Sequence, residues 1–188
     1  MSVERSHVVS FLTACGAGLE PHRRGAILEH LEGTEGVLRS WNAREPLVLA
    51  GLCHAVYGTD GLIDPLVPLD ERHRLAEVVG DEAEQIVYFY ASCDRAFVYP
   101  QFGTGETIRY RDRFTQRELE PREEELRDFV ELTWANAVDV VEGSPEEDWR
   151  TELAPFFLAS APFASEAARN AMSTLLDLDL AGAAVSRG

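Results

Sequence analysis

Apolar residues recur at helical spacing along most of the chain. Residues 6–15 carry Val8, Val9, Phe11 and Leu12, a short amphipathic helix ended by Gly16 and Gly18. A second helix is predicted from about Arg23 to Trp41, with Ile27, Leu31, Thr34, Leu38 and Trp41 at helical spacing. Residues 44–57 form a third, nearly all apolar, which stops at Gly58 before a loop over 58–69 rich in Gly, Asp and Pro. A short helix at about 70–79 and a longer one from Asp81 to Val98 follow. The pattern breaks over 100–116, where Pro100, Gly103 and Gly105 precede an alternating run that predicts a β-hairpin near 103–115. From Thr115 the chain reads as helix again to Val141. Two more helices follow Pro145 and Ser165, the second with Ser165 as N-cap, and Gly182–Gly188 frays. The expected fold is therefore all-α, one helical domain over residues 1–188 with a single short hairpin.

Polar residues that interrupt the apolar stripes carry the chemistry. His30 lies on the stripe of Ile27, Leu31, Thr34 and Leu38. His54 sits one turn above Ala50 and Gly51, whose small side chains let another helix approach. Asp94 continues the stripe of Ala83, Ile86 or Val87, and Tyr90. A buried carboxylate is costly unless it is paired or bound to a metal. Two imidazoles and a carboxylate facing inward suit a divalent ion such as manganese, iron or zinc. The plainer reading makes each histidine a hydrogen-bonded core residue and pairs Asp94 with an arginine.

Composition narrows the partners. The 188 residues hold 33 acidic and 17 basic side chains, a formal net charge of −16. Such a surface repels nucleic-acid phosphates and anionic lipid, so neither a nucleic-acid polymer nor a membrane is expected as partner. A small anion held by a few arginines stays within reach. The absence of a long apolar run and of a basic-then-apolar start reads as a cytoplasmic chain. Cys15, Cys53 and Cys93 are too few and too widely spaced for a disulfide framework or a zinc clamp.

Four segments in order resemble the HD domain of the alarmone hydrolases of the stringent response. His22-Arg23-Arg24-Gly25-Ala26-Ile27-Leu28-Glu29-His30-Leu31 is similar to that domain's opening. Leu49-Ala50-Gly51-Leu52-Cys53-His54-Ala55-Val56 resembles its "A-L-L-H-D-V" helix. Val79 to Val87 resembles its "F-G-x-E-V-A-x-L-V" helix, and Cys93-Asp94-Arg95 its "A-D-R". Ala50 to Thr59 also resembles the "A-G-L-F-H-S-x-Y-G-T" motif of a bacterial group with no established activity. The likeness covers about residues 20–98. It implies a metal held by His30, His54 and Asp94. The Asp that should follow His54 is Ala55, and the acidic pair that activates water in that family falls on Gly58-Thr59. Asp60 and Asp64 are the nearest replacements.

The expected function is a metal-dependent phosphohydrolase acting on a small phosphorylated molecule or nucleotide. The alternatives are a non-catalytic binding module and an HD-fold iron-dependent oxygenase. Arg109 and Arg111, projecting with Arg113 from one side of the extended segment, are candidates for gripping the anion, and so is Arg24. Tyr57 is a candidate pocket wall. On the helix at 126–141, Thr133, Asn136 and Asp139 fall at three-residue spacing and could line the pocket from the opposite side. A homodimer is compatible with this reading.

Overall fold

Glycine and asparagine stops set the lengths of the first helices. In a computed structural model describing residues 3–17, 21–22, 25–59, 64–143, 149–177 and 180, α1 (Arg5–Ala14) ends where Gly16 takes φ 97°. Its N–H and that of Ala17 return to Thr13 O and Leu12 O. A pair of two-residue strands, β1 (Pro21–His22) and β2 (Gly25–Ala26), occupies the start expected for the second helix. Accordingly α2 runs only from Ile27 to Ser40. It stops at left-handed Asn42, φ 56°, with Asn42 and Ala43 N–H groups bonded to Arg39 and Leu38 carbonyls.

Helix α3 (Glu45–Cys53) has proline in its first turn, and Leu47 through Cys53 are all buried. A helix apolar all round belongs at the centre, and α3 packs against α2 and against α5 (Asp81–Ala91), which follows α4 (Arg72–Val79). At Gly51 an added Cβ would come within 2.5 Å of Leu38 and 3.5 Å of the Glu35 backbone, the close approach of α2 that the small residues predicted.

The helix expected from Asp81 to Val98 is two helices. It breaks at Ser92–Asp94 because the chain there pairs with the hairpin: Asp94 N–H bonds Arg111 O, Arg113 N–H bonds Ser92 O, and Cys93 bridges Asp112. Asp94 then caps α6 (Arg95–Val98), accepting from Phe97 N–H. The hairpin itself, β3 (Tyr110–Arg111) with β4 (Glu118–Leu119), lies a few residues later than expected. It also takes the start predicted for the next helix, so α7 spans Glu123–Gly143, opening with three glutamates at the positive end of its dipole. Helices α8 (Trp149–Ser160) and α9 (Glu166–Leu176) complete the order, and Ser165 caps α9 as expected, accepting from Ala168 N–H at 3.3 Å.

Helix α7 packs across α2, α3 and α5, and the buried apolar side chains form one cluster. Among the described residues the protein is all-α apart from the short strand pairs, and no helix is long and apolar enough to cross a membrane. The expected fraying of 182–188 lies outside the described residues.

Candidate functional site

Helices α2, α3 and α7 bring a histidine, a second histidine and a carboxylate together in the core. His30 is 2% and His54 1% exposed. Their Nε2 atoms are 3.2 Å apart, with rings nearly perpendicular at 82°. His54 is the cap residue that ends α3, so its Nδ1 reaches back 2.8 Å to Gly51 O within the last turn. His30 Nδ1 lies 2.6 Å from Asp139 Oδ2 on α7. Gly33 makes room for that contact: a Cβ there would fall 1.8 Å from Asp139 Oδ1.

The partners dictate most of the protons. A carbonyl only accepts, so His54 Nδ1 carries hydrogen and donates to Gly51 O. A neutral His54 then presents Nε2 as an acceptor. Burial pushes its pKa down to about 3, with the charges of His30 and Arg95 adding to the effect and the Gly51 bond opposing it. His30 Nε2–H therefore donates to His54 Nε2. The short contact between His30 Nδ1 and Asp139 must also hold a proton, on one atom or the other. The result is a continuous chain, Asp139–His30–His54–Gly51 O, through the centre of the helical stack.

Tyr90 stands beside this chain, its ring edge-on to His54 with centroids 5.5 Å apart. It is 1% exposed, and its hydroxyl has no hydrogen-bond partner among the described residues. Burial raises its pKa, so the phenol stays protonated. Arg95 is near enough for its charge to favour the ionised phenol, yet no bond of acceptable geometry joins the two.

The residues singled out from sequence are distributed as follows. His30 and His54 meet, but Asp94 does not join them: one oxygen caps α6 and the other lies 3.6 Å from Arg111. Among the described residues no group of three or more His, Cys, Asp or Glu side chains could hold a metal ion. The carboxylate at the histidines is Asp139. Its signal was present in the Thr133, Asn136 and Asp139 spacing and in Gly33, which faces it, but the apolar stripe pointed to Asp94. Asn136 is half-buried one turn before Asp139 on α7. Tyr57 is buried and donates to Glu84 at 2.8 Å, and Arg72 grips the same carboxylate through two bonds at 2.7 and 2.8 Å.

The expected row of arginines is divided among local partners. Arg109 and Arg111 both reach Glu118 on the opposite strand, and Arg111 also stacks on Phe97. Arg113 donates to Ala91 O. Asp64 is exposed, while Asp60 and Arg24 lie outside the described residues. A cavity of about 410 Å3 between α5 and α7 is walled by Arg44, Arg72, Tyr88, Phe89, Asp128 and Phe129, and neither histidine lines it. Its arginines are engaged, Arg44 with Asp128 and Glu82 and Arg72 with Glu84 and the face of Tyr88.

The geometry thus defines an all-α chain built round a buried, hydrogen-bonded histidine pair. Residues 11–95 match the model of a family described as Domain of unknown function (DUF6817). That segment holds both histidines and Tyr90 but not Asp139. No curated protein and no solved structure matches the chain.

Proposed function

We propose that the protein is a metal-dependent hydrolase of HD type acting on a small phosphorylated molecule, with His30 and His54 as imidazole ligands. The observation that carries this reading is the way the two rings are held. Their Nε2 atoms are 3.2 Å apart, close to the ~3.3 Å between two nitrogens on one tetrahedral ion. Each Nδ1 is meanwhile engaged by a carboxylate or a backbone carbonyl, the outer partners that metal-ligating histidines use. Asp139 then orients His30 and raises its basicity. Gly51 O fixes the tautomer of His54. Asp60 and Asp64 follow His54 in the sequence and are the acids assigned to water activation. A divalent ion held there would supply a bound water that ionises near neutral pH.

A second reading has its own support. The four-group chain is closed as it stands, with every ring nitrogen engaged, which suits a non-catalytic binding module whose polar centre is structural. Elemental analysis after incubation with manganese, iron or zinc separates the two. The hydrolase reading expects near-stoichiometric metal in the wild type, loss of it in His30→Ala and His54→Ala, and affinity reduced about 10–100-fold in Asp139→Asn. A wild type that takes up no metal sinks the hydrolase and leaves the module. If iron is the metal, oxygen consumption against phosphate release from nucleotides decides between oxygenase and hydrolase.

A further inference from the structure

No residue of the histidine chain lines the cavity between α5 and α7. Its volume of about 410 Å3 falls within the roughly 300–1,000 Å3 of small-molecule sites. Ile86, Tyr88, Phe89 and Phe129 give it an apolar wall. One face of Phe89 stacks on Tyr110, and one face of Tyr88 carries Arg72. Both rings are only half-buried and still contribute surface to the cavity.

The charges round this wall do not balance. Arg72 is committed to Glu84, which lies outside the lining. That leaves Arg44 and Arg122 to answer the lining carboxylates of Glu82, Glu124, Glu125 and Asp128. Arg44 alone serves Asp128, Glu82 and, at 3.9 Å, Glu124. Arg122 is divided between Glu125 at 3.1 Å and Glu124 at 3.8 Å, so both ion pairs of Glu124 are long. Burial raises the pKa of Asp128, and Glu124 and Glu131 add to the rise against the pull of Arg44. A concave wall with surplus negative charge, in a chain of net charge −16, concentrates positive charge. The guanidiniums are already engaged with carboxylates, which disfavours an anion there. An ammonium or amidinium group gains from the carboxylates and from the aromatic rings at once.

We propose that this cavity binds a small organic cation, an ammonium or amidinium group on an apolar body. The charged end sits between Glu82 and Glu124, and the body lies on Ile86, Tyr88 and Phe89. The site is separate from the histidine pair and independent of the metal reading.

The test uses the full-length, metal-free protein, titrated by calorimetry with tryptamine and with benzamidine. Indole and indole-3-propionate serve as the neutral and anionic counterparts of tryptamine. One-to-one binding of at least one cation is expected, tryptamine exceeding indole by about tenfold or more, with indole-3-propionate weakest. Glu82→Gln/Glu124→Gln should weaken cation binding about three- to tenfold, the loss of two partly exposed charge contacts. Both side chains are exposed, so the urea midpoint should stay near that of the wild type. Glu77→Gln/Glu106→Gln removes the same charge at exposed positions outside the lining and should leave binding unchanged. Failure of both cations to bind at millimolar concentration overturns the proposal. So does indole-3-propionate binding as tightly as tryptamine, or a Glu82→Gln/Glu124→Gln protein that binds as well as the wild type. Equal weakening by the two double variants also overturns it, because the acidic surface as a whole would then be the attractor. The sample holds no metal, so failure here is distinct from failure of the metal site, which metal content decides.

Discussion

Helix α2 carries two glycines three residues apart whose replacement by alanine should have opposite effects. At Gly36 a Cβ meets nothing within 4 Å, so Gly36→Ala gains helix propensity, up to about 1 kcal/mol. At Gly33 the same methyl would stand 1.8 Å from Asp139 Oδ1 and 2.7 Å from its Cγ. That gap cannot exist, and the carboxylate must leave. Overpacking costs about 1–3 kcal/mol, and losing the His30–Asp139 contact costs roughly 1.5–3 kcal/mol, as for other hydrogen bonds to charged groups. Against the ~1 kcal/mol propensity gain, Gly33→Ala should be destabilised by about 2–4 kcal/mol. Urea unfolding of the two variants should therefore place them roughly 3–5 kcal/mol apart. The double variant Gly33→Ala/Asp139→Ala completes the argument. Its collision is gone, so its cost should fall well short of the sum of the single changes. Equal stability of the two alanine variants, or strict additivity in the cycle, would refute the seating of Asp139 over Gly33 and with it the relay.

Three further outcomes follow from particular contacts. His54 has a folded pKa of about 3 against an ordinary 6.5, so between these values the unfolded chain binds the extra proton. The stability that His54 contributes is complete above about 6.5 and is lost as pH falls toward 3, at up to ~1.4 kcal/mol per pH unit. Urea midpoints of the metal-free wild type should show this slope, and His54→Gln should lose that component of it. Asp94→Ala should cost about 0.5–2 kcal/mol as a lost N-cap while leaving metal content unchanged; a protein that keeps its stability but loses its metal would return Asp94 to the ligand set. Tyr57→Phe removes one of three bonds to the buried Glu84 carboxylate and should cost about 1.5 kcal/mol in the same unfolding assay, whereas an unchanged midpoint would count against that network.

What the sequence revealed was local, and what it hid was the pairing of distant elements. The stripe of Ile27, Leu31 and Leu38 is a property of one helix, and it correctly turned His30 inward. The small residues below His54 likewise announced a close helix, and Gly51 lies against α2. Asp94 failed for a reason no periodicity of α5 could supply. The stripe through Tyr90 ends at Ala91, because residues 92–94 bond to a hairpin about twenty residues further on. An aspartate at the first residue after such a break is a capping residue, and its carboxylate is spent on Phe97 N–H. Asp139 lies 109 residues from His30, and the three-residue spacing of Thr133, Asn136 and Asp139 places it on an inward face of α7 without saying what it meets. The facing Gly33 names the partner helix, and that glycine becomes informative once α2 and α7 are known to touch.

The two readings of the histidine pair differ in the position of one proton. In the closed chain a hydrogen lies between His30 Nε2 and His54 Nε2, donated by the first because Gly51 O has already used the other nitrogen of the second. A divalent ion can share those two nitrogens only by displacing that hydrogen, so metal uptake must release a proton. The rest of the chain need not change: Asp139 and His30 Nδ1 still share one proton and Gly51 O still accepts from His54 Nδ1. The same outer contacts that satisfy a buried structural relay are therefore the ones that prepare both rings for a metal. Removing Asp139 distinguishes these roles. In a purely structural relay, Asp139→Asn weakens folding and nothing else. In a metal site it also weakens metal uptake, while His54, held by its own carbonyl, keeps its orientation.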